Sequence, residues 1–379
     1  RLRALAARLE SRGDHLIAYE VCGSDRTYPW DRHKRDEAFQ WTTLFPDRAL
    51  ETLDPAICRR GMVAALDRDR PDALGIVGYT RPESVAAAQW ARRQGRPAVL
   101  MSESQAVDRP RVWWKEMIKR RRVGWFDSAL VGGPRHRHYL TQLGMLADRI
   151  ALGYNAIDND YFASEARRAR ESPAGRSGLP EAPYFLTVCR FVPEKNLNRL
   201  IEAFARYRDQ SDPRSAWDLV ICGDGLGVAN VNDAVARSGC AKAIHLPGFL
   251  QIHELPRWYA RAGAFVLPSV SEPWGLVANE AAACELPLLI SSRAGCVDTL
   301  VPDPEGLTGG RFDPFDLEEM TTKLSWLATC PDDDRRAIGR RAAETVANWG
   351  PDRFARGALE ALDLARRPAQ RRQPAAVGG

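Results

Sequence analysis

No C-x-x-C pair occurs in this chain of 379 residues, and its eight cysteines lie scattered. Several sit in apolar runs such as FLTVCRF and DLVICGDG, where a thiol behaves as a small hydrophobe. That usage argues against zinc sites and a disulfide framework, and reads as reduced, cytoplasmic thiols. No apolar run approaches the roughly 20 residues a membrane-spanning helix needs. No repeat of roughly 20–50 residues is visible, which sets a solenoid aside. A secretory signal is not seen either, although the chain begins at Arg1 and an upstream segment is compatible with that start. The dinucleotide fingerprint G-x-G-x-x-G fails in CGDGLGVAN, because Val228 stands where the third glycine belongs. Charge of one sign is also scarce in excess. A net +5 suits anionic small molecules or a lipid surface and gives no argument for nucleic acid.

What is present is a soluble globular composition, 45% hydrophobic and 27% charged, in a chain too long for one comfortable core. Short β-type runs alternate with helical patterns: HLIAY, ALGIV, PAVLM and SALVGG in the first half, YFLTVC, WDLVIC, AIHLPG, AFVLP and LPLLIS in the second. Between them, Leu197, Leu200, Ile201 and Phe204 follow the spacing of one buried helix face. Such alternation predicts parallel sheets covered by helices on both faces. Residues 168–183, RARESPAGRSGLPEAP, have the composition of a linker. The division expected is a first domain over 1–170, a linker over 171–183 and a second domain over 184–350, with a helix at 351–366. The tail over 367–379 has almost nothing to bury and is expected to be disordered. One feature is odd: RLRALAARLESRG reads as a helix ahead of the strand HLIAY, whereas a doubly wound domain opens with a strand. The expectation is that the opening strand of the first domain is missing from this chain.

The stretch SEPWGLVANEAAACELP places Glu272 just before a helix start and Glu280 about five residues into it. That is ~7 Å along the axis at about 1.5 Å per residue. Ligands of parallel α/β sheets bind at the carboxyl ends of strands, and a helix start holds a diphosphate well. Two carboxylates flanking a diphosphate suit the vicinal hydroxyls of a sugar and a ribose. The plain reading of the same residues is a cap and a solvated helix position. In VCRFVPEKNLNRL, Arg190 and Lys195 offer a fixed guanidinium and a mobile ammonium to a leaving diphosphate, or else pair with Glu194 on a surface loop. Gly223 and Gly225 follow a strand and are read as a loop that lets a nucleotide approach the backbone.

Taken in order, R-F-V-P-E-K-N, G-D-G, L-P-G-F, F-V-L-P-S and S-E-P-W-G-L-x-x-x-E-A-x-A resemble the donor half of family-4 (group 1) retaining glycosyltransferases of the GT-B fold. The resemblance covers the second half closely, and SALVGGPRHRHYLTQLGMLADRIALGYNAIDNDYF resembles the end of that family's first domain. It implies two Rossmann-like domains facing across a cleft, with a last helix returning to brace the first. It implies that Arg190 and Lys195 grip the donor diphosphate and that Glu280 takes the ribose. Glu272 and the backbone of Trp274, Gly275 and Leu276 would hold the donor sugar, and Phe249 would lie near the base. Transfer would retain configuration without a metal or cofactor, to a glycan or lipid-linked acceptor. Three departures accompany it: no glycine-rich loop after a first strand, Glu103 of VLMSES where many members carry histidine, and Trp274 after Pro273 where they carry phenylalanine. A nucleotide-sugar epimerase and a non-catalytic nucleotide-sugar binder share the architecture and stay open; a dehydrogenase fits less well.

Two D-x-D pairs, Asp67/Asp69 and Asp158/Asp160, and the isolated His136/His138 have no donor-site context and are read as surface or packing residues. Residues 109–126, RPRVWWKEMIKRRRVGWF, hold seven basic residues and one acid with three tryptophans. As a helix, Trp113 aligns with Met117 and Trp114 with Ile118, beside Lys119, Arg120 and Arg121. Basic charge next to interfacial tryptophan suits an anionic membrane surface; equally, the aromatics can pack into the first domain. The localisation expected is cytoplasmic, with this helix offering a peripheral seat at the inner membrane face.

Overall fold

The computed structural model of the chain describes residues 1–24, 37–303 and 306–368. Strands β1 (Ile17–Ser24) and β2 (Gln40–Ala49) pair in a two-stranded sheet. Strands β3 (Leu74–Val77), β4 (Ala98–Ser102), β5 (Ser128–Val131) and β6 (Ile150–Leu152) form a second sheet in that order. The third sheet contains β7 (Tyr184–Val188), β8 (Asp218–Cys222), β9 (Ile244–Gly248), β10 (Ala264–Leu267), β11 (Leu288–Ser291) and β12 (Gly309–Phe312), in the order β12-β11-β10-β7-β8-β9. Among the described residues all of these pairings are parallel.

The apolar runs become strands because both faces of the sheets are covered. On β7, Tyr184 and Leu186 enter one core cluster while Phe185 enters the cluster on the opposite face. The helix Leu197–Asp209 turns Leu197, Leu200, Ile201 and Phe204 inward, each at most 4% exposed. Fully burying such side chains is worth about 1.5–3 kcal/mol apiece.

The chain crosses between its halves twice. The helix Asn159–Glu171 buries Phe162 and Ala166 in the core of the third sheet, beside Tyr259 and Phe265. The crossover therefore lies ahead of this helix, whereas the sequence reading kept it in the first domain up to residue 170. Its apolar face finds its partner in the second half, which no local pattern announces. The helix Pro351–Arg366 then packs on β4, β5 and β6 and against the helix Leu2–Glu10. It lies so close that a Cβ at Gly357 would come within 2.3 Å of the Leu152 carbonyl oxygen. Ser128 Oγ donates to the Ala361 carbonyl at 2.6 Å. Residues 369–379, most of the tail expected to be disordered, lie outside the described residues.

The halves meet through Trp274, which is 1% exposed. Its indole stacks on Trp349, centroids 5.1 Å apart, and donates to Asn279 Oδ1 at 2.8 Å. Its outer edge lies over Gly132 and Gly133, just past β5 of the first half. A Cβ at Gly132 would stand 2.5 Å from Asn155 Nδ2 and 2.9 Å from the indole. Overpacking of this kind typically costs about 1–3 kcal/mol. Gly132→Ala is therefore expected to lower the thermal midpoint by several degrees, whereas Gly95→Ala, with open space around its Cβ position, reports only the backbone strain of φ +64°. Equal effects in a melting comparison would remove the slot from the account.

Candidate functional site

In the third sheet, β7 is flanked by β8 on one side and β10 on the other, so the connections run in opposite directions from it. That switch point is where a crevice opens at the carboxyl ends of parallel strands. Arg190 follows β7 and is exposed. Lys195 closes the short 3₁₀ turn Pro193–Lys195, and Asn196, with φ +57°, turns the chain into the next helix. Asn196 Nδ2 donates to the carbonyls of Pro268 and Pro314 at 3.1 and 2.8 Å, and Val270 N donates to Glu194 O at 2.9 Å. These bonds hold the loop after β7 against the loop after β10.

The result is that Lys195 and Glu272, 77 positions apart, form a buried ion pair. Ser269 Oγ donates to the same carboxylate oxygen at 3.3 Å. Beside Lys195 lies Cys189, whose thiol burial pushes up to about 12, so it stays neutral and is a poor nucleophile. Gly275 caps the helix Leu276–Ala283 at φ +99°, and a Cβ there would meet Leu267 at 2.8 Å. Leu276 is partly buried at the first helical position.

Glu280 sits five positions into that helix and accepts from the Tyr259 hydroxyl at 2.8 Å. Burial pushes its carboxyl up to about 7, and the tyrosine bond opposes that only in part. Phe249 is partly buried just after β9. The glycine loop has a different reason from the one its sequence suggests. A Cβ at Gly223 would stand 1.8 Å from the Cys189 carbonyl oxygen, and one at Gly225 2.9 Å from that of Phe191. Phe191 N donates to Asp224 O at 2.7 Å and Gly227 N to Phe191 O at 2.8 Å. These glycines, at φ +141° and +150°, let two loops of the protein lie against each other.

The first half presents Glu103 after β4, partly buried. Burial pushes its carboxyl up; Arg1 and the Asn155 amide oppose that, while the Glu272 and Asp108 charges add to it. The sequence reading missed the residues that bring the halves together. Gln105 Nε2 donates to the Glu272 and Arg293 carbonyls at 2.8 and 3.1 Å. Arg135 forms an ion pair with Asp298 and donates to the Ser292 carbonyl at 2.7 Å. Asp298 also meets Arg311 at 2.9 Å; burial would raise its carboxyl, but the two arginines hold it below the usual range.

His136 is fully buried, and its Nδ1 accepts from Gly133 N at 3.1 Å. Its Nε2 therefore carries the proton and donates to Pro273 O at 2.8 Å. Burial lowers its pKa. Only the run PRHRH hinted at Arg135 and His136, and nothing local marked Gln105. The Trp274 side chain is turned into the seam, so at that position only the backbone can face a ligand.

The helix Trp113–Val123 leaves its aromatic stripe uncovered: Trp113 is 73%, Met117 60%, Trp114 47% and Ile118 44% exposed. Trp125, past its end, is partly buried and packs against the first-half core. Lys119 departs from the expected basic surface: it reaches inward to Glu116 at 2.8 Å and Tyr139 at 2.9 Å. Arg121 is exposed, as is Arg120, which donates to Gln142 O at 3.0 Å. Among the described residues no helix is long and apolar enough to cross a membrane. Three of the four D-x-D aspartates have structural tasks. Asp67 accepts from the Trp90 indole at 2.7 Å, Asp69 from Arg68 and Tyr19, and Asp158 caps a helix.

Comparison with known proteins agrees with this geometry. Residues 172–345 match the family described as glycosyl transferases group 1. The sulfoquinovosyl transferase SQD2 of Arabidopsis thaliana is 31% identical over 204 residues, 54% of this chain and 38% of that protein. The GDP-mannose-dependent alpha-(1-6)-phosphatidylinositol monomannoside mannosyltransferase of Mycolicibacterium smegmatis is 29% identical over 203 residues, 51% of this chain and 50% of that protein. The chain spans about half the length of these curated relatives or less. Among solved structures, sucrose-phosphate synthase from Thermosynechococcus elongatus superposes with a TM-score of 0.74 at 20% identity, covering 97% of this chain and 93% of that one. Anabaena HepE, solved in complex with UDP and glucose, gives 0.67 at 18% identity and 86% coverage of both chains. The second half of the chain is thus similar to the group 1 glycosyltransferases, and its whole length shares the GT-B fold of these solved structures.

Proposed function

We propose that this protein transfers a hexosyl residue from a nucleoside-diphosphate sugar to a hydroxyl of a glycan or lipid-linked acceptor, with retention of configuration and without a metal. The observation that carries the reading is the ion pair of Lys195 with Glu272, which joins the loop after β7, where Arg190 lies, to the loop after β10, from which the helix bearing Glu280 starts. The names of the relatives, a sulfoquinovosyl and a GDP-mannose-dependent transferase, and HepE with UDP and glucose, point the same way.

In this reading the diphosphate displaces Glu272 as the partner of Lys195, with Arg190 and the start of the helix Leu276–Ala283 supplying further positive potential. Glu272, released, accepts from the donor sugar's hydroxyls, and Glu280 takes the ribose. Phe249 lies toward the base. The sugar C1–O bond to the diphosphate breaks, and the acceptor oxygen bonds to C1 on the same face. A phosphate oxygen of the leaving group takes the acceptor proton. Glu103, after β4 of the first half, orients that acceptor. A thermal-shift panel of UDP, GDP, ADP and TDP checks the donor site: one is expected to stabilise the protein, and Lys195→Ala and Glu280→Ala to abolish the shift. No shift with any of the four would discard the reading. Conversion of a sugar nucleotide with no second substrate would favour the epimerase instead.

Glu280 gives this site a pH signature. Burial holds its pKa at about 7, above the ordinary carboxylate value of 4.5. Its contribution to free-protein stability is fully present below pH ~4.5 and is lost as pH rises through ~7. Ribose hydroxyls need the charged acceptor, so nucleoside-diphosphate affinity is expected to rise about tenfold from pH 6 to 8. Glu280→Gln, which keeps only the ligand's own phosphate titration, should show a flatter profile in calorimetry. Identical profiles would take Glu280 out of the site.

An anionic lipid surface is the second part of the proposal, supported by the uncovered stripe of Trp113, Trp114, Met117 and Ile118 with Arg120 and Arg121 alongside. Sedimentation with phosphatidylglycerol vesicles should fall at least fivefold in Trp113→Ala/Trp114→Ala and weaken with salt. Binding unchanged in that variant would remove the membrane from the account.

A further inference from the structure

The strand ends of the first half carry a feature that the donor site does not use. Beyond β4, β5 and β6 stand Glu103, Gly132 and Asn155, side by side at the carboxyl edge that faces the second half. Asn155 is fully buried, and among the described residues neither its Oδ1 nor its Nδ2 meets a hydrogen-bond partner. Its amide packs against the backbone of Gly132, where a Cβ would come within 2.5 Å of Nδ2. Nearby Gln105, 1% exposed, spends its Nε2 on the Glu272 and Arg293 carbonyls while its Oε1 has no partner.

Folded proteins rarely keep buried amides without partners, because the lost hydration is not returned. Nor does the transfer reading employ Asn155 on the donor side. The amide lies near enough to Glu103 to favour its charged form, though without a bond of full geometry. An amide offers one donor face and one acceptor face, whereas a carboxylate only accepts. Placed side by side, they match two neighbouring hydroxyls, one of which accepts from the amide while the other donates to the carboxylate. The seam over them is closed by Trp274 and the bonds of Gln105 and His136, so a ligand reaches the pair only where that seam parts.

We propose that Asn155 is a specificity-determining residue for the acceptor, recognising with Glu103 two vicinal hydroxyls of a sugar or cyclitol. The assignment rests on the transfer reading, in which the first half binds the acceptor. It requires that a polar group be kept at residue 155 for the ligand and not for the fold.

Asn155→Leu separates the two. Leucine has nearly the shape of asparagine and needs no partner, so the free protein should melt at the same temperature or higher. Transfer to glucose, glucose 6-phosphate or myo-inositol as probe acceptors should fall at least tenfold, mainly through the acceptor KM. The nucleoside-diphosphate thermal shift serves as the reference for a formed donor half. A lower melting temperature in Asn155→Leu would make the amide a structural residue and overturn the proposal. So would an unchanged acceptor KM. Asn155→Ala, which removes the amide without adding bulk, is the second variant, and it must show the same loss of acceptor use. If no probe accepts sugar in the unaltered protein, the melting temperatures decide alone, in the same directions. Failure of the transfer reading itself shows separately, as the absence of any nucleoside-diphosphate shift.

Discussion

Everything at this site depends on how a large ring is fitted between two sheets. The Trp274 indole occupies a slot whose near wall is Trp349 and Asn279 and whose far wall is the bare backbone of Gly132 and Gly133. Because the ring is buried on both sides, the loop that carries it is fixed against both halves at once. Gly275, left-handed next to it, then starts the helix that bears Glu280. The polar bonds around the slot follow the same logic. Gln105 and His136 donate to the carbonyls of Glu272 and Pro273, so the backbone that would meet a sugar is tied down by residues from the opposite half.

The charges are arranged to be exchangeable. Lys195 and Glu272 neutralise each other in the free protein, which limits the cost of burying either alone. In the proposed transfer, an incoming diphosphate would offer the ammonium a stronger partner and free the carboxylate for hydroxyls. Glu280, by contrast, has a neutral partner, Tyr259, and is held near half-protonation at neutral pH by burial. One glutamate is thus switched by a competitor and the other by protons.

Much of this was legible in the chain. The apolar runs marked nine strands, because parallel strands buried on both faces read as continuous hydrophobic segments. They passed over β2, which contains Pro46, the three-residue β6, and β12, which opens on two glycines. The helix start after Glu272 was legible because its glycine and small residues lie close together in sequence. The uncovered state of Trp113 and Trp114 was undecidable from periodicity, which gives the stripe but not its partner. The roles of Gln105, Arg135 and Asn155 were not legible, for a further reason. The partners of Gln105 and Arg135 lie about 150–190 positions away, and the Asn155 amide is marked by lacking a hydrogen-bond partner among the described residues. A motif can announce a carboxylate, whereas an unpaired buried amide exists only in three dimensions.

The two glycines opposite Trp274 have a consequence for the modularity of the fold. Two-domain transferases invite recombination, one half choosing the donor and the other the acceptor. Here the loop expected to meet the donor sugar has its shape set partly by Gly132, Gly133 and His136 of the opposite half. A chimera that brought in a first half with a side chain at either glycine would meet the indole at about van der Waals contact or closer, before any substrate arrived. The halves of this protein are therefore exchangeable only with partners that preserve the slot.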